Sequence, residues 1–244
     1  MTKPFLVIQL RPEDAVADEE LRALQQHGGL ADGEVIRVRA ETSGLPVIDL
    51  NEYSGIIVGG SPFDVSTPEP AKSAVQKQIE AGFAGLLREV DGRDFPFLGC
   101  CSGNGLLGAY CGASISRRFG EPVGPAEVSL TEAGKSDPLL AGFPDRFPVL
   151  LGHKEACDDV PPGTTLLARG ERCPVQMFRR KSNIYATQFH PEADAAGFIL
   201  RINVYRHHGY FPPEDTDRLR SAVSSQPVPE SNEILRRFVA RYRS

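Results

Sequence analysis

Residues 4–11, PFLVIQLR, open the chain with a short apolar run, and the pattern predicts a buried first strand. Residues 12–29 begin with proline and acids and stop at Gly28-Gly29, which predicts a helix or helical loop. EVIRVRA (34–40) alternates apolar and polar positions as a half-buried strand does, and YSGIIVGGSP (53–62) predicts a third strand running into a tight turn. In the next segment Ala71, Val75, Ile79, Phe83, Leu86 and Val90 recur at three- and four-residue steps, the signature of an amphipathic helix. FPFLGC (95–100) predicts a fourth strand, and GNGLLGAYCG (103–112) a short buried helix. This alternation argues for a parallel sheet with helices on both faces.

After Gly112 the texture changes. SISRRF, AEVSLTE, RFPVLLG, TTLLARGE, CPVQMFRR and NIYATQFH are short strand-like runs divided by Gly, Pro and Asp, and they predict antiparallel strands that close the sheet. Residues 193–209 predict a further helix. The polar, Pro- and Ser-containing stretch 210–231 predicts a linker or loosely packed extension. Residues 230–244 predict a terminal amphipathic helix capped by Ser231 or Asn232, with a stripe of Ile234, Leu235, Phe238, Val239 and Tyr242 that packs on its own domain. The expected division is therefore a main domain over 1–209 and a C-terminal extension over 210–244.

Charge and composition narrow the function. A net charge of −5 without any Lys/Arg-rich tract gives no footprint for nucleic acid. The apolar runs are too short to span a bilayer, and the N-terminus lacks the apolar core of a signal peptide. Five irregularly spaced cysteines with no C-x-x-C suggest a reducing, cytoplasmic setting rather than a disulfide framework. Cys100–Cys101 and His207–His208 come as adjacent pairs, which converge poorly on one tetrahedral metal, so no metal is expected.

The candidate chemistry lies in FLGCCSGNGLLG. Gly99, Cys101 and Gly103 fit a Gly-x-nucleophile-x-Gly frame, in which a sharp strand-to-helix turn projects a nucleophile out of the sheet. The frame assigns Cys101 the chemistry and Cys100 the packing. The start of the following helix favours thiolate at Cys101 and offers the N–H of Ser102 to an oxyanion. Alone, the frame is equally consistent with two core cysteines beside a glycine-rich turn. A second segment, NIYATQFHPE, carries a strand into His190-Pro191-Glu192. In extended chain, residues two apart face the same way, so Glu192 can orient His190, and the three residues supply nucleophile, base and orienter. Gly60, at the end of the third strand, is the candidate for a second oxyanion N–H.

These elements, IIVGG, LGCCSGNGLLG and ATQFHPE, in this order, resemble the class I glutamine amidotransferases, and most of all the glutaminase domain of GMP synthase and the stand-alone proteins similar to it. The resemblance covers roughly residues 4–200. It implies an α/β, flavodoxin-like, mainly parallel sheet with late antiparallel strands. It also implies hydrolysis of a γ-glutamyl amide through a Cys101-His190-Glu192 triad and a γ-glutamyl thioester, with Gly60 and Ser102 at the oxyanion-hole positions and no metal or organic cofactor. Its expected partners are a small γ-glutamyl substrate and a synthetase subunit that accepts ammonia. The family's elbow usually continues Gly-x-Gln, and that Gln helps bind glutamine; here Gly105 stands in its place. His153 sits where this group has substrate-side loop residues. Gly105, and the absence of a P-loop or synthetase frame in this sequence, keep two alternatives in view: a stand-alone γ-glutamyl peptidase or hydrolase, and a catalytically weak binding module that keeps the fold. The oligomeric state is not legible.

Overall fold

The computed structural model describes residues 2–244. In chain order the strands are β1 (Phe5–Gln9), β2 (Val35–Arg39), β3 (Gly55–Val58), β4 (Phe97–Cys100), β5 (Ile115–Ser116), β6 (Glu121–Leu130), β7 (Arg146–His153), β8 (Ala156–Cys157), β9 (Thr164–Gly170), β10 (Met177–Arg180) and β11 (Ile184–Thr187). The helices are α1 (Asp14–Gly28), α2 (Ala40–Ser43), α3 (Ala74–Arg93), α4 (Ser102–Tyr110), α5 (Glu132–Lys135), α6 (Ala195–Val204), α7 (Thr216–Ser224) and α8 (Pro229–Tyr242).

Nine strands form one sheet in the order β2-β1-β3-β4-β11-β10-β9-β6-β7. The first five are mutually parallel and the remaining pairings are antiparallel, as the change of texture after Gly112 predicts except at β11, which was expected among the antiparallel strands and instead pairs parallel with β4 and antiparallel only with β10. β5 and β8 pair separately. Alternation along β1 divides its side chains between two cores. Phe5 and Val7 face α1 and α8 through Leu24, Ile234, Leu235, Phe238 and Val239. Leu6 and Ile8 face α3 and α4 through Ile79, Phe83, Leu87 and Leu107. The parallel strands, covered on both faces, read as continuous apolar runs for this reason.

Three local expectations change. The helix containing the 71–90 stripe starts at Ala74 with Ser73 as its cap; Pro68 and Pro70 confine the preceding residues to a separate turn. The stretch 210–231 is not a loose linker. It holds α7, whose Leu219 and Val223 join Phe198, Ile202, Phe211 and Leu150 in a third core. Few apolar positions are needed to dock so short a helix, so the polar composition hid it. α8 starts with Pro229 in its first turn, Val228 is its N-cap residue, and neither Ser231 nor Asn232 caps it. Ser231 is fully buried, and the Asn232 side chain donates instead to the carbonyls of Pro191 (2.9 Å) and Ala193 (3.0 Å).

Phe238 is fully buried and stacks edge-on against Tyr185, with Phe5 beyond it. Phe238→Ala is expected to lower the unfolding free energy by about 3–5 kcal/mol in urea denaturation. A change within experimental error would mean that α8 is dispensable to the core.

Candidate active site

Three parallel strands, β3, β4 and β11, end side by side, and the candidate residues follow those ends. This is the carboxyl edge of the sheet, where open α/β folds place their sites. Cys101 follows β4 and holds φ 53°, ψ −95° at the turn into α4, a strained conformation for a residue with a side chain. Its N–H donates to the Thr187 carbonyl at 2.8 Å, which ties the elbow to β11. The glycine before it is obligatory: a Cβ on Gly99 would lie 2.7 Å from the Gly103 backbone. Cys100, one residue earlier, is fully buried, and burial pushes its thiol well above the ordinary range.

His190 is buried at the end of β11. Its ring Nδ1 lies 2.7 Å from Glu192 Oε1, and its N–H donates to the Leu150 carbonyl at 3.0 Å. Burial opposes charge on Glu192, but His190 and Arg201 outweigh it and hold the carboxyl well below the usual carboxylate range. Arg201 Nη2 donates to the same Oε1 at 3.1 Å. An ionised carboxylate only accepts, so the proton sits on His190 Nδ1 and leaves Nε2 with a free lone pair. Burial, with help from Arg201 and Arg11, also lowers the histidine's own pKa against the pull of Glu192. The imidazole is therefore neutral at pH 7 and available as a base.

Cys101 departs from the thiolate expected of a helix N-terminus. Burial pushes its thiol up to about 12, and the nearby Arg11 guanidinium only partly offsets this. The resting pair is thus thiol and imidazole, and both line one small chamber with Arg11, Phe198, Tyr205 and Phe211. A second chamber opens on the other side of Cys101, where Ser102, Gly105, His153, Lys154, Glu155 and Gln188 line it. Each holds about 30 Å³. A larger groove of about 510 Å³ lies on the antiparallel side, along Glu127, Arg146 and Arg169, and does not include Cys101.

The remaining predicted residues take up the following places. Ser102 is the first residue of α4, so its N–H has no acceptor within the helix; its hydroxyl bonds that of Ser61 at 2.8 Å. Gly60 packs against the base: a Cβ there would lie 2.9 Å from His190 Cε1. Its N–H donates to Glu20 Oε1 at 3.3 Å, so service to an oxyanion requires that bond to break. A Cβ at Gly105 would fit in ordinary contact with Val65 at 3.5 Å and Glu155 at 3.7 Å. His153 is held from both ring nitrogens, by the Glu155 carbonyl (2.9 Å) and by Glu121 Oε2 (3.1 Å). Glu155 in turn accepts from the N–H groups of Val65 (2.6 Å) and Ser66 (2.8 Å).

Among the described residues, Glu121, His153 and Cys173 form one buried group whose donor atoms lie within 4.8 Å of one another. Each has a protein partner: Gln176 Nε2 donates to Glu121 at 2.5 Å, and the Cys173 thiol to the Val175 carbonyl at 3.6 Å. The group therefore reads as a hydrogen-bonded brace for the 153–155 turn.

The sequence did not point to Arg11, Glu20, Arg201 or Tyr210. Glu20 is fully buried and accepts from Arg11 Nε (2.8 Å) and Gln9 Nε2 (3.0 Å). Arg11 follows the first strand at the same sheet edge as Cys101, and Arg201 is the one charged residue in the apolar helix AAGFILRINV. Each was a weak signal that only the fold makes specific.

A strained cysteine elbow after β4, a His-Pro-Glu turn after β11 and a Gly-Gly turn after β3 therefore meet at one edge of the sheet. Residues 18–198 match the family model "Glutamine amidotransferase class-I". The chain is 31% identical to a glutamine-hydrolysing GMP synthase subunit from Thermococcus kodakarensis, over 66% of this chain and 77% of that one. It is 30% identical to the corresponding Pyrococcus abyssi protein, over 64% and 75%. A glutamine amidotransferase of known structure from Thermotoga maritima superposes with a TM-score of 0.78 over 98% of this chain and 97% of that one, at 21% identity. One from Methylobacillus flagellatus gives 0.68 over 99% and 94%, at 18%. The chain belongs to the class I glutamine amidotransferases. In addition, no helix of the described residues is long and apolar enough to cross a membrane.

The neutral pair has a kinetic signature. With His190 Nε2 as the acceptor of the Cys101 proton, alkylation of Cys101 by iodoacetamide is expected to plateau with pH through neutrality. It should fall only as His190 protonates, below the ordinary histidine value of 6.5. A rate climbing about tenfold per pH unit across neutrality would mean that free thiolate reacts without the histidine.

Proposed function

We propose that this protein hydrolyses a γ-glutamyl amide, L-glutamine first among them, through Cys101, His190 and Glu192. The observation that carries the reading is the placement of a strained Cys101 and a Glu192-oriented, neutral His190 in one chamber. His190 Nε2 takes the thiol proton as Sγ attacks the side-chain carbonyl carbon. The oxyanion is received by the N–H of Ser102, which α4 leaves without an internal acceptor. His190 then gives its proton to the departing nitrogen, the C–N bond breaks, and ammonia leaves a γ-glutamyl thioester on Cys101. Water, deprotonated by His190, attacks that thioester, and glutamate leaves as the thiol is restored. Glu192 remains ionised throughout and stabilises the imidazolium.

The second chamber suits the amino-acid end of the substrate. Glu155 and Lys154 supply opposite charges for an α-ammonium and an α-carboxylate. Gln188 is buried, and its Oε1 has no protein partner among the described residues. These groups stand in for the Gln that Gly105 replaces. The curated relatives are glutamine-hydrolysing GMP synthase subunits, which supports glutamine as substrate and a synthetase subunit as ammonia acceptor. Glycine at 105, where the family usually has Gln, favours a second reading, an independent hydrolase of γ-glutamyl compounds.

Release of ammonia and glutamate from L-glutamine, beside amine release from γ-glutamyl dipeptides, separates these readings. Cys101→Ala is expected to reduce either activity by at least about 10³-fold while the protein remains folded. Turnover that survives Cys101→Ala contradicts the assignment.

A further inference from the structure

We propose that Tyr210, which lies beyond the family match at 18–198, divides the site into a glutamyl side and a leaving-group side and selects against bulky leaving groups. The inference rests on the γ-glutamyl reading for its choice of substrate, and on the geometry alone for the partition.

The chemistry assigns the two chambers. The base must reach the departing nitrogen, so the leaving group belongs on the side that His190 lines; the oxyanion donor Ser102 and the polar groups Lys154, Glu155 and Gln188 line the other. Only Ser61, Cys101, Gly152 and Tyr210 line both. Of these, Ser61 and Gly152 are small and Cys101 is the nucleophile, so the Tyr210 ring is the bulk of the partition. The ring is held from several directions. Lys154 Nζ lies 4.2 Å from its centroid and the Tyr205 ring 5.8 Å away, while its hydroxyl reaches the Ser61 carbonyl at 3.5 Å. Gly209 takes a left-handed φ of 75° just before it, and Phe211 just after it is anchored in the core formed with α7. The segment after α6 thus turns sharply at Gly209 and is pinned at Phe211, and Tyr210 between them lines both chambers with Cys101.

The two chambers are equally small, about 30 Å³ each, so volume alone does not distinguish them; the selection against a bulky leaving group rests on the Tyr210 ring, the largest side chain that lines both. Removing the ring merges the chambers and opens Cys101 to larger groups.

The test compares native protein, Tyr210→Ala and Tyr210→Phe by two readouts. One is the rate at which Cys101 is alkylated by N-phenyl-iodoacetamide relative to iodoacetamide, followed by peptide mass spectrometry. The other is kcat/KM for a γ-glutamyl anilide relative to L-glutamine. Tyr210→Ala should raise both ratios at least about tenfold, and Tyr210→Phe, which keeps the ring, should leave both near native. Equal melting temperatures exclude a folding defect, and the Phe variant supplies the comparison if the Ala variant is unstable: a Phe variant with altered ratios overturns a steric partition. A raised labelling ratio with no γ-glutamyl turnover in any variant upholds the partition and overturns the hydrolase reading. Raised labelling with turnover whose anilide preference stays native overturns the leaving-group assignment. An unchanged labelling ratio in a folded Tyr210→Ala overturns the proposal outright.

Discussion

The backbone at Cys101 is the constraint on which the site depends. A positive φ on a residue with a side chain costs of the order of 1–3 kcal/mol and persists only where its surroundings fix it. Here they do so from three sides. Gly99 allows the α4 backbone to close to a distance no Cβ would tolerate, the Thr187 carbonyl holds the Cys101 N–H, and α4 begins at the next residue. Because β4 lies between β3 and β11, the same turn places the sulfur beside the Gly-Gly end of one strand and the His-Pro-Glu end of the other.

Electrostatics around the elbow follow from burial. Burial disfavours the charged forms of both Cys101 and His190, so the thiol rises and the imidazole falls. The ions that are buried, Glu192 with Arg201 and Glu20 with Arg11, are paired and hydrogen bonded, as buried charges must be. Arg11 and Arg201 also oppose an imidazolium at rest while Glu192 supports one. The helix dipole at α4 pulls toward thiolate but is the smaller influence in this setting.

Most of the fold was legible because period and punctuation agree along the first hundred residues: strands of continuous apolar character, helices with a clear stripe, and glycines at the turns. The His-x-Glu pairing was legible, but its expected cause was not borne out: Pro191 and Glu192 form a turn rather than extended chain, closed by the Ala193 N–H on the His190 carbonyl at 3.1 Å, and the turn brings Glu192 to the ring. What was not legible depends on distant contacts. α7 buries only a few side chains and hides in a polar stretch. Asn232, expected as a helix cap, instead bonds the carbonyls that flank Glu192, so the terminal helix braces the turn carrying the orienting carboxylate. Arg11 and Glu20 are only nine residues apart, but they reach Gly60, Tyr205 and the chamber lined by Tyr210 only because the sheet order brings β1 beside β3 and α6 over their ends. The Gly-Gly turn was recognised, but its nearest consequence is steric: a side chain at Gly60 would strike Arg11 first and His190 next.

The central claim is that Cys101, and not its buried neighbour Cys100, carries the glutamyl group. Acid quenching during turnover of L-glutamine, followed by mass spectrometry of the peptide spanning 95–117, tests it directly. The account predicts one γ-glutamyl thioester, located at Cys101, abolished in Cys101→Ser and retained in Cys100→Ser. An adduct at Cys100, or turnover with no thioester under conditions that preserve one, would contradict it.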